Sequence, residues 1–303
     1  MKKIILLLGN SHFAKKIISE IQFEGNGYYF YCDTSNNIWD AIKYVLLIPF
    51  SSIVYSISGT INPGYALQLA LFLKKKIFLH YVGSDVTGSI KDLQLGRYSQ
   101  DLMSHANFAA NAPWLVDELI DIGITAKFIP TYVENDPYIS SVKKKFSVLT
   151  YLGEDKENFY GLQYILHLAE VFPGLEINVI GTNNHSIFEN FQNIQSHGWQ
   201  SRGNLLRLVN ENLIMIRMTE HDGLAHLAVD AMLCKNWVIR PLQCDGVINA
   251  KNQEEMIRAI LDLQNLWSQQ DDYACNDIGF RWALENCSKN ISLKRIKDYI
   301  FDS

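Results

Sequence analysis

Short, uninterrupted apolar runs alternate along the chain with segments in which apolar residues recur every three or four positions. In the first half the runs predict strands at 4–8, 52–58, 76–82, 107–110 and 126–130, with helices at 13–21, 40–47, 65–75, 93–105 and 113–122. Strands that are apolar at successive positions are typical of parallel sheets covered by helices on both faces. The connections are short enough for strand–helix–strand units, so this half is predicted to be a doubly wound sheet.

The same alternation begins again after a polar interval at 134–145, which we interpret as a linker. Beyond it the pattern predicts strands at 146–152, 176–180, 213–218 and 237–240, and helices at 160–172, 187–194, 204–210, 254–263 and 280–301 and after Gly223. The sequence therefore predicts an α/β protein with two similar domains in tandem.

Composition narrows the class of protein. The 303 residues are 48% hydrophobic and 19% charged, as expected for globular domains with sizeable cores. The net charge of −5 gives no global electrostatic reason to bind nucleic acid. Five scattered cysteines without a C-x-x-C pair favour reduced thiols in the cytoplasm. The apolar run at 4–8 is shorter than the apolar core of a secretory signal peptide, and no run approaches the ~18 apolar residues of a membrane span.

One lysine cluster leaves a peripheral membrane contact open. Lys74, Lys75 and Lys76 lie at the end of an apolar predicted helix and could touch anionic lipid at the inner face of a membrane. The alternative is that they complement the negative end of the helix dipole.

The segment at 217–233 carries the strongest candidate chemistry. It places polar residues, Thr219 to Gly223, where a predicted strand ends and a helix follows. Ligands of open α/β sheets bind beyond the carboxyl ends of strands, and the first amides of a helix attract phosphate. Asp222 and Asp230 carry carboxylates that suit the vicinal hydroxyls of ribose or a sugar. In the alternative interpretation Asp222 caps the helix and Asp230 lies on its solvated face.

This segment resembles the E-x7-E donor motif of retaining GT-B glycosyltransferases. Asp222-Gly223-Leu224-Ala225 and Asp230-Ala231-Met232 match the motif in frame, with both glutamates shortened to aspartate. I-P-T-Y-V-E at 129–134 is similar to the I-P-N-G-V-D that ends the family's first domain, and the strand and glycine at 177–181 are similar to a strand and glycine of its second. His197-Gly198-Trp199 resembles the family's F-L-G-W segment. The similarity covers the second domain well and the first mainly by topology.

The resemblance implies two tandem Rossmann-like domains with a cleft between them. Residues 1–138 would form the acceptor-side domain, residues 139–285 the nucleotide-sugar domain, and residues 286–303 a helix packing back toward the first. It implies a hexosyltransferase of bacterial-type glycan biosynthesis that moves a sugar, with retention, from a nucleotide-diphosphate donor to a glycan or lipid-linked saccharide. Because no D-x-D occurs, neither a metal nor any cofactor besides the donor is expected.

The resemblance also assigns roles on the donor side. Asp222 would contact the sugar, with His221 beside it as a further catalytic candidate, and Asp230 would bind the ribose diol. The diphosphate would be held by the amides around Gly223, Leu224 and Ala225. Other donor-side candidates are Arg217, Thr219, Lys156 and Gly198. An arginine at the end of a buried strand needs an anionic partner, which makes Arg217 a candidate diphosphate ligand. Lys156 and Arg202 are interpreted chiefly as surface charges.

The acceptor-side candidates end another predicted strand. They are His80, Gly83 and Ser84, with Asp85 as a third catalytic candidate. The alternatives are that Asp85 caps the next helix and that His80 is a satisfied core histidine, which we favour.

Two departures from the family pattern keep other functions open. Both acids are one methylene shorter, and the family's basic pair after the first strand of the second domain is replaced by a segment, 153–161, whose single cation is Lys156. The alternatives are a non-catalytic protein that binds a nucleotide-sugar or a partner, and a GT-B-fold sugar-nucleotide epimerase.

Overall fold

A computed structural model describes residues 3–21, 27–34, 38–134, 137, 143–269 and 275–302. The chain divides into two compact units. The first contains Met1–Glu134, Asp222–Leu224 and Cys287–Ser303, and the second contains Asn135–His221 and Ala225–Asn286. Most of the predicted linker, residues 135–136 and 138–142, lies outside the described residues.

The first unit is built on a six-stranded parallel sheet. Its strands are β1 (Lys3–Gly9), β2 (Gly27–Cys32), β3 (Ile53–Ile57), β4 (Lys76–Tyr81), β5 (Asn107–Ala110) and β6 (Ala126–Phe128). They lie in the order β2-β1-β3-β4-β5-β6. Its helices are α1 (Ser11–Ile21), α2 (Ile38–Leu47), α3 (Tyr65–Phe72), α4 (Ser84–Gln94), α5 (Gln100–His105) and α6 (Pro113–Asp121), and a 3-10 turn, Ile48–Phe50, follows α2.

The second unit also contains a six-stranded parallel sheet. Its strands are β7 (Lys145–Tyr151), β8 (Ile177–Ile180), β9 (Ile194–Ser196), β10 (Asn212–Ile216), β11 (Trp237–Arg240) and β12 (Val247–Asn249). They lie in the order β12-β11-β10-β7-β8-β9. Its helices are α7 (Leu162–Val171), α8 (Arg202–Glu211), α9 (His226–Leu233), α10 (Gln253–Gln269) and α11 (Asp277–Cys287). The last helix, α12 (Lys289–Asp302), belongs to the first unit.

Each sheet buries an apolar face under helices. In the first unit Ile17 of α1 and Ile296 of α12 pack with buried strand residues such as Ile5 and Tyr55. Tyr299 of α12 meets the ring of Tyr55 edge-on, with 6.3 Å between the ring centres. A comparable cluster in the second unit joins α7 and α10 to strands β7, β8 and β10. Burial of these side chains, about 1.5–3 kcal/mol each, is the main force that holds the helices on the sheets.

The predicted doubly wound α/β arrangement is confirmed in both units. The strands predicted at 107–110 and 237–240 agree with β5 and β11 at both ends. Three predicted helices were wrong. The single helix predicted at 280–301 is divided into α11 and α12, which lie on either side of Ser288. The segment predicted as one helix at 93–105 contains the end of α4 and all of α5, because Gly96 adopts φ 66° and the Ser99 hydroxyl accepts the Leu102 N–H to start a new helix. The segment predicted as a helix at 187–194 holds the end of a short 3-10 helix and the first residue of β9.

No helix within the described ranges combines the length and the apolar character needed to cross a membrane.

Candidate functional site

The strand order of the second sheet reverses between β7 and β10. At such a point the chain leaves neighbouring strands in opposite directions, which opens a crevice at the carboxyl edge where ligands of α/β sheets bind. Gly161, in the turn before α7, lies against the segment after β10. A Cβ at this glycine would be 2.8 Å from the Met218 carbonyl oxygen, and its φ of +89° also favours glycine. The two segments therefore approach closely at this edge.

Arg217 supplies positive charge at this edge. It follows β10 directly and is only 7% exposed. Its guanidinium carbon lies 5.6 Å from the ring centre of Tyr151 and 5.0 Å from that of Tyr160. The two rings stabilise the buried cation through cation–π contacts. A guanidinium held by aromatic rings keeps its planar set of N–H donors, which suits phosphate.

Thr219 lies two residues further along. Its side chain is fully buried, and its hydroxyl oxygen has no hydrogen-bond partner among the described residues. A buried polar atom without a partner destabilises a fold by about 1–3 kcal/mol. Such an atom in a native protein calls for an explanation, such as an ordered water, a bound ion or a functional role. Thr219 was a predicted donor-side residue, and this feature agrees with that role.

The start of α9 has no side-chain cap. Its N-cap residue is Ala225, which makes no side-chain hydrogen bond, so the alternative in which Asp222 caps the helix is wrong. The first amides of a helix attract anions because they point outward and carry the positive end of the helix dipole. Thr219 and the N-cap Ala225 thus both follow β10, six residues apart in the chain.

Asp230 forms an ion pair with Arg202. Nη2 of Arg202 donates to Oδ1 of Asp230 at 2.7 Å, and Nη1 donates to Oδ2. The side chains are 34% exposed for Arg202 and 1% exposed for Asp230. The alternative of a solvated Asp230 is therefore wrong, whereas Arg202 is partly exposed and pairs with that carboxylate. Each carboxylate oxygen already accepts a hydrogen bond from Arg202, so a ribose at Asp230 would share the carboxylate with this arginine.

The segment Asp222–Leu224 is packed within the first unit. The indole N–H of Trp114 donates to the Asp222 carbonyl oxygen at 2.7 Å, and the Leu224 amide donates to Oδ1 of Asn111 at 3.2 Å. A Cβ on Gly223 would lie 2.0 Å from the Val82 carbonyl oxygen. Glycine at this position is thus required by the neighbouring backbone, whereas the sequence analysis attributed it to a phosphate. The Leu224 amide is occupied by Asn111, which the sequence analysis did not select.

Asp85 stabilises the turn before α4. Its carboxylate accepts the N–H groups of Val82, Gly83 and Val86 at 2.8–3.2 Å. Burial raises the pKa of this carboxyl, and the backbone hydrogen bonds offset part of that increase. Gly83 has a φ of +155°, and Ser84 is exposed at the start of the helix. These contacts favour a structural role for Asp85 over a catalytic one.

His80 is a core histidine. It is fully buried, with Nε2 2.8 Å from the Ile129 carbonyl oxygen and Nδ1 2.6 Å from the Tyr55 hydroxyl oxygen. A neutral ring that donates from Nε2 and accepts at Nδ1 satisfies both contacts. Burial lowers the pKa of His80 to about 4. The alternative of a satisfied core histidine is confirmed.

Acidification is expected to destabilise the protein through His80. The folded state keeps this ring neutral down to about pH 4, whereas the unfolded chain protonates it near its ordinary pKa of 6.5. The unfolded state therefore binds more protons between these values, and stability is lost as the pH falls through them. Between about pH 7 and about pH 4.5 the loss is about 2 kcal/mol. Urea unfolding at both pH values measures this loss. The free energy of unfolding of His80→Gln should fall by about 2 kcal/mol less than that of wild type, and an equal fall in both proteins would contradict the assignment.

The remaining donor-side candidates lie in loops of the second unit. Lys156 is exposed, which agrees with a surface charge. Gly198 has a φ of +65°, and its carbonyl oxygen accepts the Gly181 N–H at 2.9 Å. His221 is partly exposed and is the last residue of the second unit before the segment Asp222–Leu224.

Arg240, at the same sheet edge, was not among the predicted site residues. Arg240 ends β11 and is 1% exposed. Because Ile216 and Ile239 are paired in register, Arg217 and Arg240 occupy equivalent positions on neighbouring strands. Trp199 is exposed and donates its indole N–H to Glu154, with its ring edge-on to Tyr151 at 6.3 Å. A charged residue directly after an apolar run was the available signal for Arg240.

The part of the chain that the structure describes contains no group of three or more His, Cys, Asp or Glu side chains placed to hold a metal ion.

No protein-family model and no curated protein matches this chain. Its structure is similar to those of several solved proteins. HepE from Anabaena, solved in complex with UDP, gives a TM-score of 0.72 at 13% identity, with 100% of both chains covered. A sucrose-phosphate synthase from Thermosynechococcus elongatus gives 0.67 at 10% identity, with 98% of both chains covered. A UDP-GlcNAc 2-epimerase from Neisseria meningitidis, bound to UDP-GlcNAc, gives 0.59 at 13% identity, with 100% of both covered. At these identities the likeness is one of fold, and the chain has the two-domain GT-B fold of Rossmann-like α/β domains.

Proposed function

We propose that the chain is a glycosyltransferase that moves a sugar from a nucleotide-diphosphate donor to a glycan or glycoconjugate. One arrangement carries this proposal: at the strand-order reversal of the second sheet, a buried arginine and a buried hydroxyl without a described partner precede an uncapped helix. All three features bind anionic oxygen, and a diphosphate supplies several such oxygens within a few ångströms. Structural neighbours solved with UDP or a UDP-sugar support the same ligand class.

The proposed donor site uses Arg217 and Thr219 as side-chain donors to the diphosphate. The first amides of α9, from Ala225 onward, add the helix dipole. The Leu224 amide is left out, because Asn111 already accepts its hydrogen bond. Trp199 offers an exposed ring for the nucleobase, and Gly198 lets the backbone beside it turn.

The proposed reaction breaks the bond between the sugar's anomeric carbon and the diphosphate oxygen, and the bonding electrons leave with the diphosphate. Arg217 and the amides of α9 stabilise that charge as it develops. The acceptor hydroxyl forms the new bond and loses its proton. Retention, metal independence and a sugar contact for Asp222 and His221 are parts of the proposal that rest on the sequence resemblance. With retention, attack comes from the side that the diphosphate leaves, where one of its oxygens can take the proton.

We propose that the acceptor binds in a cavity of about 480 Å³ in the first unit. It lies at the carboxyl edge of the first sheet, where the strand order also reverses, between β1 and β3. Polar side chains that line it include Asp33, Thr34, Ser56 and Ser58. Hydroxyl and carboxylate groups spaced around a concave surface are suited to a saccharide. We therefore propose this cavity, and not the core residue His80, as the acceptor site.

Epimerisation of a sugar nucleotide is the second candidate, because UDP-GlcNAc 2-epimerases are among the structural neighbours. A panel of UDP-, GDP- and ADP-sugars, each incubated with glycan acceptors, distinguishes the two. Transfer releases free nucleoside diphosphate and consumes acceptor. Epimerisation changes the sugar while it stays on the nucleotide. Binding of nucleotide without turnover would leave the non-catalytic alternative, and no binding of any nucleotide would overturn the proposal.

Replacing Thr219 by valine is expected to separate binding from stability. Valine fills the same space without the hydroxyl, so the free energy of unfolding should stay unchanged or rise slightly. The affinity for UDP should fall about fivefold, since one hydrogen bond of about 1 kcal/mol is lost. Calorimetric titration with UDP measures this, and Thr219→Ser, which keeps the hydroxyl, is the matched control. Equal UDP affinity for wild type and Thr219→Val would remove Thr219 from the site.

A further inference from the structure

An exposed apolar surface covers one side of the first unit. Helix α2 and the 3-10 turn after it present Trp39, Ile42, Leu46 and Phe50 to solvent. The spacing of three and four residues places Trp39, Ile42 and Leu46 on one face of α2, and Phe50 follows in the 3-10 turn. Trp39 is 70% exposed and Phe50 is 75% exposed, whereas tryptophan and phenylalanine are usually largely covered.

Helix α3 extends this surface. It packs beside α2 and the 3-10 turn. Tyr65 and Phe72, seven residues apart at its two ends, are both 82% exposed. On the edge strand β2, Tyr28 and Phe30 are also exposed, and they lie on the face opposite to Tyr29, which packs with α1 and α12. A solvent-exposed apolar surface that spans several neighbouring elements marks an interaction site.

The charge around this surface is positive. Residues 27–76, which hold β2, α2 and α3, contain four lysines and two aspartates, a net charge of +2 in a chain whose net charge is −5. One of the aspartates, Asp40, pairs with Lys43 at 3.0 Å. Lys75 donates to the Pro49 carbonyl oxygen at 2.6 Å, which places its ammonium group next to Phe50. Lys74 is exposed at the end of α3.

We propose that this surface docks on an anionic lipid bilayer. Tryptophan, tyrosine and phenylalanine on an apolar helix face, with lysines at its border, match the boundary between acyl chains and anionic headgroups. A second copy of the chain would bring two positive borders together, so charge complementarity favours the bilayer. The docking itself does not depend on the donor site. Under the proposed function it brings the 480 Å³ cavity, which Tyr44 of α2 and Tyr65 of α3 also line, to the membrane surface.

Vesicle flotation tests the proposal. Wild type should float with vesicles of phosphatidylcholine and phosphatidylglycerol, and less with phosphatidylcholine alone or at raised salt. The double variants Trp39→Ser/Phe50→Ser and Lys43→Glu/Lys74→Glu should each lower the partition coefficient at least about tenfold. The matched control is Ile120→Ser/Ile278→Ser, which changes two exposed apolar residues elsewhere.

All of these substitutions are at exposed positions, so thermal unfolding should be unchanged. Wild type that stays unbound with both vesicle types would overturn the proposal, as would apolar variants that float like the control. The surface would instead be assigned to a second copy of the chain by a different pair of results. Wild type would sediment as a dimer and not bind vesicles, and Trp39→Ser/Phe50→Ser would sediment as a monomer. The same variants should bind nucleotide with the affinity of wild type. A negative result in the vesicle experiment would therefore leave the proposed function unchanged.

Discussion

Arg217→Met is expected to weaken UDP binding at least about 30-fold, which corresponds to about 2 kcal/mol for a charge-assisted contact to the diphosphate. Methionine keeps an apolar stem beside the rings of Tyr151 and Tyr160 and removes the charge that they stabilise. Arg217→Lys should fall between the two, because lysine keeps the charge and loses the planar guanidinium fork. Calorimetric titration with UDP measures all three proteins.

The control for Arg217 is Arg207→Met on α8. Arg207 is exposed and pairs with Glu211, so its removal should leave UDP affinity unchanged. Circular dichroism and thermal unfolding establish that the Arg217 variants are folded. If folded Arg217→Met binds UDP within about twofold of wild type, the guanidinium is not a diphosphate ligand.

Arg202→Met is expected to lower the free energy of unfolding by about 3–5 kcal/mol, the largest single effect on stability that we predict. It leaves Asp230, whose side chain is 1% exposed, without its arginine. Asp230→Asn should cost less, because Arg202 is one-third exposed and can turn to water. Urea unfolding of each variant gives these values.

A double variant tests the cause of that loss. Arg202→Met/Asp230→Leu removes both charges and fills a similar volume, and apolar replacement of a buried ion pair is often close to neutral. It should therefore be more stable than Arg202→Met alone. If the double variant is the less stable one, loss of packing rather than a stranded carboxylate explains the effect. UDP titration of Asp230→Asn shows separately whether this carboxylate contacts ribose.

The fold was predictable because its strands are buried on both faces and therefore appear as unbroken apolar runs. The strands at 107–110 and 237–240 were located to the residue for this reason. The edge strand β2 was missed because it mixes exposed aromatic residues, such as Tyr28 and Phe30, with buried ones. Helix α4 was missed because its sequence, S-D-V-T-G-S-I-K-D-L-Q, is mostly polar and contains a glycine. Local pattern identifies an element only where burial follows a simple period.

The site was predictable only in part. A charged residue directly after an apolar run pointed to Arg217, and the strand-to-helix turn pointed to Thr219. The pairing of Arg202 with Asp230 could not be predicted from the sequence. The two residues lie 28 positions apart on different helices and meet only through packing. The contact of Asn111 with the Leu224 amide spans 113 positions and was hidden for the same reason. Sequence spacing reveals partners on one helix, whereas partners on different elements are fixed by the tertiary fold.

The most direct test of the central claim is the electron density of UDP in crystals of this protein. The account predicts diphosphate oxygens within about 3 Å of the Thr219 hydroxyl oxygen and of the Arg217 guanidinium nitrogens, in front of the first turn of α9. A diphosphate bound elsewhere, with neither side chain in contact with it, would contradict the account.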